Sequence, residues 1–298
     1  MAPTPTQQER DNLRRLLEQA RSEDLGGGDL TSAILPGELR ARAQFVSRQE
    51  LVFCGGCFLQ AIAAAYDTAI ATRLKAAEGE PVGLNAVLAE WSGPLRSILS
   101  TERVALNFLQ RLSGVATATR GYVQAVAGTA AGIYDTRKTI PGWRELDKYA
   151  VRAGGGRNHR QGLYDAALIK DNHLAGLALA TGQEPLEALR PHLRQLRSSL
   201  PAGGFIELEV DDLEQLARAL KLDVDMILLD NMSPDQLRQA VALRDQADLK
   251  GKVELEASGG ITLATVRAVA QAGVERISVG ALTHSAPAVD IALDLNIK

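Results

Sequence analysis

Residues 205–231 read FIELEVDDLEQLARALKLDVDMILLDN, in which two short apolar runs flank a helical stretch. Similar runs recur after about residue 115, each followed by polar residues or glycine and then by another helical stretch. They are Ile133–Tyr134, Ala166–Ile169, Phe205–Val210, Met226–Leu229, Val253–Leu255 and Arg276–Val279. Such alternation is typical of a parallel sheet whose strands are joined by helices. The runs suffice for a closed or nearly closed α/β barrel. An open doubly wound sheet is the alternative, but the Gly-x-Gly-x-x-Gly turn that it commonly uses for dinucleotides is absent.

The region before this series predicts a separate, smaller α/β domain. Residues 8–21 have leucines at helical spacing, and residues 41–90 contain short strand-like runs with turn residues between them. Thr101 is expected to be the N-cap of a helix whose apolar face begins at Val104.

Composition limits the class of protein. The chain has 298 residues, 46% of them hydrophobic, and a net charge of -3. No apolar run reaches the roughly 18 residues that a transmembrane helix needs, and the N-terminus has no apolar signal core. Cys54 and Cys57 have no second pair of metal ligands, so two reduced thiols are expected. These features predict a cytoplasmic protein.

Basic residues are concentrated between residues 133 and 173 of this mildly acidic chain. They include Arg137, Lys138, Lys148, Arg152, Arg157, His159, Arg160 and Lys170. Arginine binds carboxylate or phosphate with two parallel hydrogen bonds. A local cluster therefore indicates a small anionic substrate, and not a nucleic acid.

Charged and glycine residues follow the predicted strands. They are Arg137 and Lys138, Lys170, Asp230, Ser258-Gly259-Gly260 and Gly280, and Glu209 lies near the end of the strand at 205–210. In a βα barrel all these positions meet at one edge, where active sites lie.

Two carboxylates, Glu207 and Glu209, alternate along one strand and are expected to face the barrel interior. Glu209 and Asp230 are candidates to bind Mg²⁺ through oxygen atoms and water. A salt-bridge network with Lys138 and Lys170 is the equally weighted alternative, and the two are compatible.

Glycine-rich turns end the series. Ser258-Gly259-Gly260 and Gly280-Ala281-Leu282 follow successive strands, where barrel enzymes often bind a phosphate monoester through backbone N–H groups. His159 adjoins the cationic loop and is predicted to contact a ligand. No nucleophile motif is present, which favours transfer through a cationic sugar transition state that is stabilised electrostatically.

Long motifs carry a resemblance to a known family. DTRKTIPGWR, LDKYAV, GGGRNHRQGLYDAALIKDNH, LDNM, EASGGI and VGALTHS, with EDLGGGDLTS and TERVALNFLQRLSGVAT, occur in order over most of the chain. Together they resemble the bacterial type of quinolinate phosphoribosyltransferases, the carboxylating nicotinate-nucleotide pyrophosphorylases.

The resemblance implies an α/β fold with an N-terminal α/β sandwich domain over 1–115 and a C-terminal incomplete α/β (TIM-like) barrel over 116–282. The tail 283–298 is expected to pack on the first domain. The implied reaction converts quinolinate and phosphoribosyl diphosphate to nicotinate mononucleotide, CO₂ and diphosphate, with Mg²⁺, in NAD biosynthesis. A homodimer or a hexamer with shared active sites is also implied.

Residue roles follow from the same resemblance. Arg137, His159 and Arg160, with Arg103 from a neighbouring subunit, would hold the two quinolinate carboxylates. Lys138 and Lys170 would contact the sugar donor or the substrate, and Glu209 and Asp230 would bind the ribose hydroxyls and the metal. The turns Ser258–Gly260 and Gly280–Leu282 would take the 5′-phosphate. After decarboxylation, water or Lys138 would supply the proton.

Two other functions remain open from the sequence. One is a different enzyme. The nearer alternative of this class is a related phosphoribosyltransferase-like protein of molybdenum metabolism, and the more distant one is a plain nicotinate phosphoribosyltransferase. The other is a non-catalytic sugar-phosphate sensor, which would have no need of the metal-binding acids.

Overall fold

A computed structural model of the chain describes residues 3–297. Met1, Ala2 and Lys298, which fall within the predicted domain limits, lie outside the described residues. The chain forms two compact units. The first contains the segment up to Arg120, Lys138–Gly156 and the segment from Leu282 onward, and the second contains Gly121–Arg137 and Arg157–Ala281.

The helices and strands are as follows. The helices are α1 Gln7–Leu25, α2 Leu59–Tyr66, α3 Leu95–Ala125, α4 Arg144–Ala153, α5 Asp171–Thr181, α6 Pro185–Leu189, α7 Leu193–Ser199, α8 Leu213–Ala219, α9 Pro234–Gln246, α10 Val266–Gln271 and α11 Ala281–His284. The strands are β1 Arg40–Ser47, β2 Leu51–Val52, β3 Ala71–Leu74, β4 Pro81–Val82, β5 Val87–Pro94, β6 Gly132–Tyr134, β7 Ala167–Ile169, β8 Ile206–Val210, β9 Met226–Asp230, β10 Glu254–Ser258, β11 Arg276–Ser278 and β12 Ile291–Ile297.

The first unit contains an antiparallel sheet of order β12-β1-β5-β3 and a small pair of strands, β2 and β4. The C-terminal strand β12 pairs with β1, from Ala41 opposite Ile297 to Ser47 opposite Ile291. Alternate residues of β1 are buried, as expected of a sheet with one face on the core.

Two polar contacts organise the helices of this unit. Thr6 and Glu9 form a capping box that starts α1 one residue before the predicted helix 8–21. In α3, Arg111 donates from Nε and from its second terminal nitrogen to the fully buried carboxylate of Asp147 in α4, both at 3.1 Å. This two-pronged contact satisfies a charge that would otherwise be costly to bury.

The second unit contains a parallel sheet of order β6-β11-β10-β9-β8-β7. Within residues 3–297, no ladder of hydrogen bonds joins the two edge strands β6 and β7, so the sheet does not close into a complete barrel. Beyond β6, Arg157 extends the sheet by one parallel bridge to Tyr134. The amide of Arg157 donates to Ile133 O at 2.8 Å.

The predicted fold class is confirmed, and each of the apolar runs assigned to the barrel overlaps one of the strands β6 to β11. The predicted domain limits stay a prediction. The contacts assign Lys138–Gly156 to the first unit, although it follows β6 in the chain, and the boundary near residue 120 falls inside α3.

The predicted N-cap at Thr101 is wrong. Helix α3 begins at Leu95, directly after Pro94, and Thr101 lies in its second turn. The hydroxyl of Thr101 donates to Ser97 O at 2.7 Å, a contact between residues one turn apart within the helix. Arg103 is therefore well inside the helix, away from the N-terminal end of the dipole.

Cys54 and Cys57 are free, as predicted. Burial, followed by the charge of Glu78, raises the pKa of both thiols, so they stay protonated. Among the described helices, none combines the length and the apolar character that crossing a bilayer requires.

Two glycines of α3 provide a test of the packing in the first unit. Gly→Ala inside a helix ordinarily stabilises by up to about 1 kcal/mol. At Gly114, however, a Cβ would lie 2.1 Å from Pro287 O, a backbone atom. We expect Gly114→Ala to lower the free energy of unfolding by about 1–3 kcal/mol in urea titrations. Gly121→Ala is the control, because its Cβ would meet only Leu263 at 3.6 Å, and it should be neutral or stabilising. The close approach of Pro287 O to Gly114 is excluded if both substitutions change the free energy of unfolding in the same direction.

Candidate active site

An ion pair joins the ends of the neighbouring strands β7 and β8. Lys170 directly follows β7, and its ammonium group contacts Glu209 Oε2. The side chain of Glu209 is 12% exposed and that of Lys170 is 43% exposed, so the pair lies at the edge of the solvent. This is the salt bridge that the sequence left as an alternative to metal binding, and one oxygen of Glu209 remains outside it.

The turns after β9 and β10 are packed against each other. Asp230 ends β9 and accepts a hydrogen bond from Asn231 Nδ2 at 2.7 Å. The amide of Asn231 donates to Ser258 O at 2.9 Å. Gly259 has a φ of +93°, and a Cβ there would lie 2.2 Å from Asn231 Oδ1. Glycine at 259 is therefore required both by the backbone conformation and by the space.

Arg137 and Arg160 form a like-charge pair in the second unit. Burial, followed by the charge of Arg137, lowers the pKa of Arg160. Arg137 Nε is buried and has no hydrogen-bond partner among the described residues. Two guanidinium groups that repel each other, one of them with a buried donor to spare, offer the charges and donors that an anion with two charges needs.

Behind these arginines lies a buried cluster of charged residues. His159 Nε2 is 2.9 Å from Glu207 Oε2 of β8 and 3.4 Å from Glu256 Oε1 of β10. Arg276 of β11 donates from Nε to Glu256 Oε2 at 2.8 Å, and its guanidinium lies 3.8 Å from the centre of the Tyr134 ring. Both carboxylates are fully buried.

The protonation of the cluster follows from these contacts. Burial, followed by the charge of Glu256, raises the pKa of Glu207. Burial would also raise that of Glu256, but the contacts with His159 and Arg276 outweigh it and lower the pKa. Burial alone would lower the pKa of His159, yet the two carboxylates raise it to about 9. The Arg160 amide acts the other way, because it donates to Nδ1 at 2.7 Å and so requires that atom unprotonated. The geometry assigns the ring proton to Nε2, facing the carboxylates.

The ligand atoms of His159, Glu207 and Glu256 lie close enough together to suit a metal ion. However, Arg276 already neutralises Glu256, and a histidine nitrogen is a poor ligand for Mg²⁺. Oxygen ligands for Mg²⁺ are instead available at Glu209 and Asp230, at the ends of β8 and β9.

Comparisons with known proteins agree over nearly the whole chain. The family described as "Quinolinate phosphoribosyl transferase, N-terminal domain" matches residues 29–113, and "Quinolinate phosphoribosyl transferase, C-terminal domain" matches residues 115–294. The chain belongs to the quinolinate phosphoribosyl transferase family. The resemblance that the motifs indicated is confirmed.

Relatives of this family cover the chain from end to end. A protein of Bacillus subtilis (strain 168), named a probable carboxylating nicotinate-nucleotide pyrophosphorylase, is 41% identical over 288 residues, which are 96% of this chain and 94% of the relative. One from Synechocystis with the same name is 39% identical over 94% of this chain and 91% of its own length. The solved structure of the Francisella tularensis nicotinate-nucleotide pyrophosphorylase has a TM-score of 0.86 and 36% identity, with 99% of this chain and 98% of that chain covered.

The second unit contains most of the predicted site residues. They are Arg137, His159, Arg160, Lys170, Glu209, Asp230, Ser258, Gly259, Gly260, Gly280 and Ala281, whereas Arg103, Lys138 and Leu282 belong to the first unit. Gly280 follows β11, and α11 begins at Ala281. Leu282 is fully buried. The roles assigned to all these residues stay predictions.

Glu256 and Arg276 were not predicted as parts of this site. A signal for Glu256 was present, because Glu254-Leu255-Glu256 in β10 repeats the alternation of Glu207-Leu208-Glu209 in β8. The sequence assigned Glu207 to the interior without a partner, and only the pairing of the strands brings β8, β10 and β11 to one histidine. No local pattern marks Arg276.

The close approach of Asn231 to Gly259 can be tested by substitution. Gly259→Ala would combine a strained φ of +93° with a clash against Asn231, whereas Gly273→Ala has a φ of +99° and a Cβ no closer than 3.6 Å to Val241. Because both variants carry the backbone strain, their difference isolates the clash. We expect Gly259→Ala to lose about 1–3 kcal/mol more unfolding free energy in urea titrations than Gly273→Ala. Equal losses would show that Asn231 moves freely.

Proposed function

We propose that this chain catalyses phosphoribosyl transfer from phosphoribosyl diphosphate to quinolinate, with decarboxylation, to give nicotinate mononucleotide, CO₂ and diphosphate. It is then a phosphoribosyltransferase of NAD biosynthesis. Family membership supports this reaction over the two alternatives that the sequence left open, the protein of molybdenum metabolism and the non-catalytic sensor.

The like-charge pair of Arg137 and Arg160 is the observation that carries the proposal. Quinolinate has two adjacent carboxylates, and each guanidinium can bind one of them through two hydrogen bonds. The substrate would relieve the repulsion that lowers the pKa of Arg160, and it would give the buried Arg137 Nε a partner. His159 precedes Arg160 in the chain, and its Nδ1 accepts a hydrogen bond from the Arg160 amide.

The donor would bind across the ends of the other strands. Lys170 and Lys138 offer ammonium groups to its phosphates, and Glu209 and Asp230 offer carboxylates to the ribose hydroxyls. The turns Ser258-Gly259-Gly260 and Gly280-Ala281-Leu282 would take the 5′-phosphate through backbone N–H groups. The positive φ values of Gly259 and Gly260 support this assignment, because such turns can direct amides at an anion.

Mg²⁺ fits the oxygen atoms available at Glu209 and Asp230. Two protein carboxylates are few, as is usual where Mg²⁺ keeps several waters and binds chiefly to substrate phosphates. When bound, Mg²⁺ would neutralise charge on the diphosphate. Glu209 and Asp230 would hold the ion, and Lys170 would offer its ammonium group to the leaving diphosphate.

The remaining steps follow from charge. The bond from ribose C1 to diphosphate breaks, and the bond to the pyridine nitrogen of quinolinate forms through an oxocarbenium-like transition state. The ring is then cationic and accepts the electron pair released when the adjacent carboxylate leaves as CO₂. The carbon takes a proton, for which water and Lys138 are the two proposed sources. A cytoplasmic location is part of this proposal.

Substitutions of the proposed quinolinate-binding residues and of the proposed donor-binding residues should each weaken the binding of a different substrate. Arg137→Ala and Arg160→Ala should each cost about 2–5 kcal/mol of quinolinate affinity, since each leaves a substrate charge unpaired. Glu209→Gln and Asp230→Asn should impair donor binding and spare binary quinolinate binding. Isothermal titration with each substrate measures both effects.

The control and the activity assay complete this test. Arg157→Ala removes an exposed cation from the same loop and should leave quinolinate binding within about twofold. The wild-type chain should release CO₂ and diphosphate from quinolinate, phosphoribosyl diphosphate and Mg²⁺. If it releases diphosphate with nicotinate but not with quinolinate, the proposed reaction is wrong.

A homodimer with shared active sites, or a hexamer of such dimers, is proposed for the assembly. Helix α5 supports it, because the helix is rich in leucine and alanine and yet none of its residues is buried. Leu179 of this helix is 89% exposed, and Leu163 and Tyr164 are 74% and 67% exposed. Exposed apolar surface of this kind marks interaction sites.

Arg103 is proposed to complete the site of the neighbouring subunit. It is exposed on α3, and within residues 3–297 its side chain forms no hydrogen bond or ion pair. Arg103→Ala and Arg160→Ala should each be nearly inactive alone. After random exchange of subunits, half of the dimers would be hybrids with one intact site, so about a quarter of wild-type activity should return.

A matched control mixes two variants that are each substituted in their own barrel. A mixture of Arg137→Ala with Arg160→Ala should stay inactive, because each barrel of the hybrid carries a defect. Native mass spectrometry verifies that hybrids form. Shared sites are excluded if hybrids form and the Arg103→Ala mixture recovers no activity.

A further inference from the structure

Both ring nitrogens of His159 are bonded within the second unit. Nε2 donates toward Glu207 Oε2 at 2.9 Å, and Nδ1 accepts the amide of Arg160 at 2.7 Å. A neutral histidine has one donor and one acceptor nitrogen in the plane of the ring. The ring is therefore engaged on both sides, and its direct effect is on the backbone of Arg160.

The segment that carries Arg160 is fixed from two directions. On one side the sheet holds it, since the amide of Arg157 donates to Ile133 O at 2.8 Å and the amide of His159 donates to Asp135 Oδ1 at 2.9 Å. On the other side the ring of His159 holds the amide of Arg160. The guanidinium reaches back to Ala166 O at 3.3 Å. The orientation of Arg160 thus depends on the position of that ring.

Two buried carboxylates and one arginine hold the ring in place. Glu207 and Glu256 are fully buried, and Arg276 binds Glu256 at 2.8 Å while stacking on Tyr134. Burying such charges costs several kcal/mol per ion, so they are a poor way to gain stability. They do restrict the geometry, because His159 Nε2 lies 2.9 Å from Glu207 Oε2 and 3.4 Å from Glu256 Oε1, although Oε1 of each carboxylate has no hydrogen-bond partner among the described residues.

We propose that Glu207, Glu256 and Arg276 are positioning residues for quinolinate. They fix His159, which fixes the backbone of Arg160 and so the direction of the guanidinium that binds a substrate carboxylate. This inference rests on the proposed function and deepens it. His159 acts through Arg160 in this arrangement, and the residues behind it determine the affinity for the dicarboxylate without touching it.

Glu256→Gln is the direct test, since it keeps the shape of the side chain and removes its charge. We expect quinolinate to bind about tenfold more weakly by isothermal titration, because misplacement of a binding group by an ångström can cost about a hundredfold. The affinity for phosphoribosyl diphosphate should stay within about twofold. Circular dichroism and thermal melting verify that the variant is folded at the temperature of the titration.

Glu254→Gln is the matched control. Glu254 lies on the same strand and contacts the same arginine, at 3.5 Å, but its side chain is 50% exposed and it does not reach His159. Its substitution should leave quinolinate affinity within about twofold. A loss equal to that of Glu256→Gln would assign the effect to the charge of Arg276 alone and overturn the proposal.

A double substitution tests whether the effect passes through Arg160. Arg160→Lys keeps the charge but replaces a rigid planar fork with a flexible point charge, which needs no fixed direction. Adding Glu256→Gln to Arg160→Lys should therefore weaken quinolinate binding by less than about twofold further. If the two losses multiply, Glu256 does not act through Arg160 and the proposal fails.

Two further results separate the possible failures. If Glu256→Gln does not fold, Glu256→Asp keeps the charge partner of Arg276 but withdraws from His159, and it should show the same loss of quinolinate affinity. Wild-type affinity in this folded variant would overturn the inference. If the wild-type chain itself does not bind quinolinate, the proposed function fails instead. If it binds and the variants behave like wild type, only the positioning role is wrong.

Discussion

The burial of two carboxylates within one parallel sheet is the constraint on which the site depends. Glu207 and Glu256 have no access to solvent, so each must meet a cation or a hydrogen donor inside the unit. Arg276 and His159 are those partners. The same histidine accepts the amide of Arg160, so the buried carboxylates are linked through one ring to the backbone of a second buried cation.

Depth along a strand separates structural carboxylates from those available to a ligand. Glu207 and Glu209 lie two residues apart on β8 and face the same side of the sheet, yet one is fully buried and the other remains 12% exposed. Glu207 is engaged by the histidine. Within the described residues, Glu209 pairs only with Lys170, whose side chain is 43% exposed. Under the proposed roles, the strand ends would therefore carry the chemistry, and the buried layer below them would fix its geometry.

Much of the second unit was predictable because its signals are local. A strand buried on both faces is typically a short apolar run, and each run from Ile133–Tyr134 to Arg276–Val279 overlaps a strand of the sheet. The strand-end residues could be named because parallel strands place their carboxyl ends at one edge. The prediction at Thr101 failed because the Thr hydroxyl that caps a helix at its start can also bond to a carbonyl one turn back inside a helix, as it does here to Ser97 O. Only the position of Pro94, just before Leu95, indicated the true start of α3.

By itself, the sequence determined the class of fold, the βα series, the family and the residue types at the strand ends. These features follow from the spacing of apolar residues, the positions of glycines and the order of motifs, all of which are properties of neighbours along the chain. The tertiary structure decided which charges neutralise each other. Glu207, Glu256 and Arg276 are separated by tens of residues and meet only because β8, β9, β10 and β11 pair in that order. It also decided that the charge of Arg137 acts on Arg160, whose pKa burial and that charge lower. Electrostatic energy depends on distance and burial, and neither can be read from spacing along the chain.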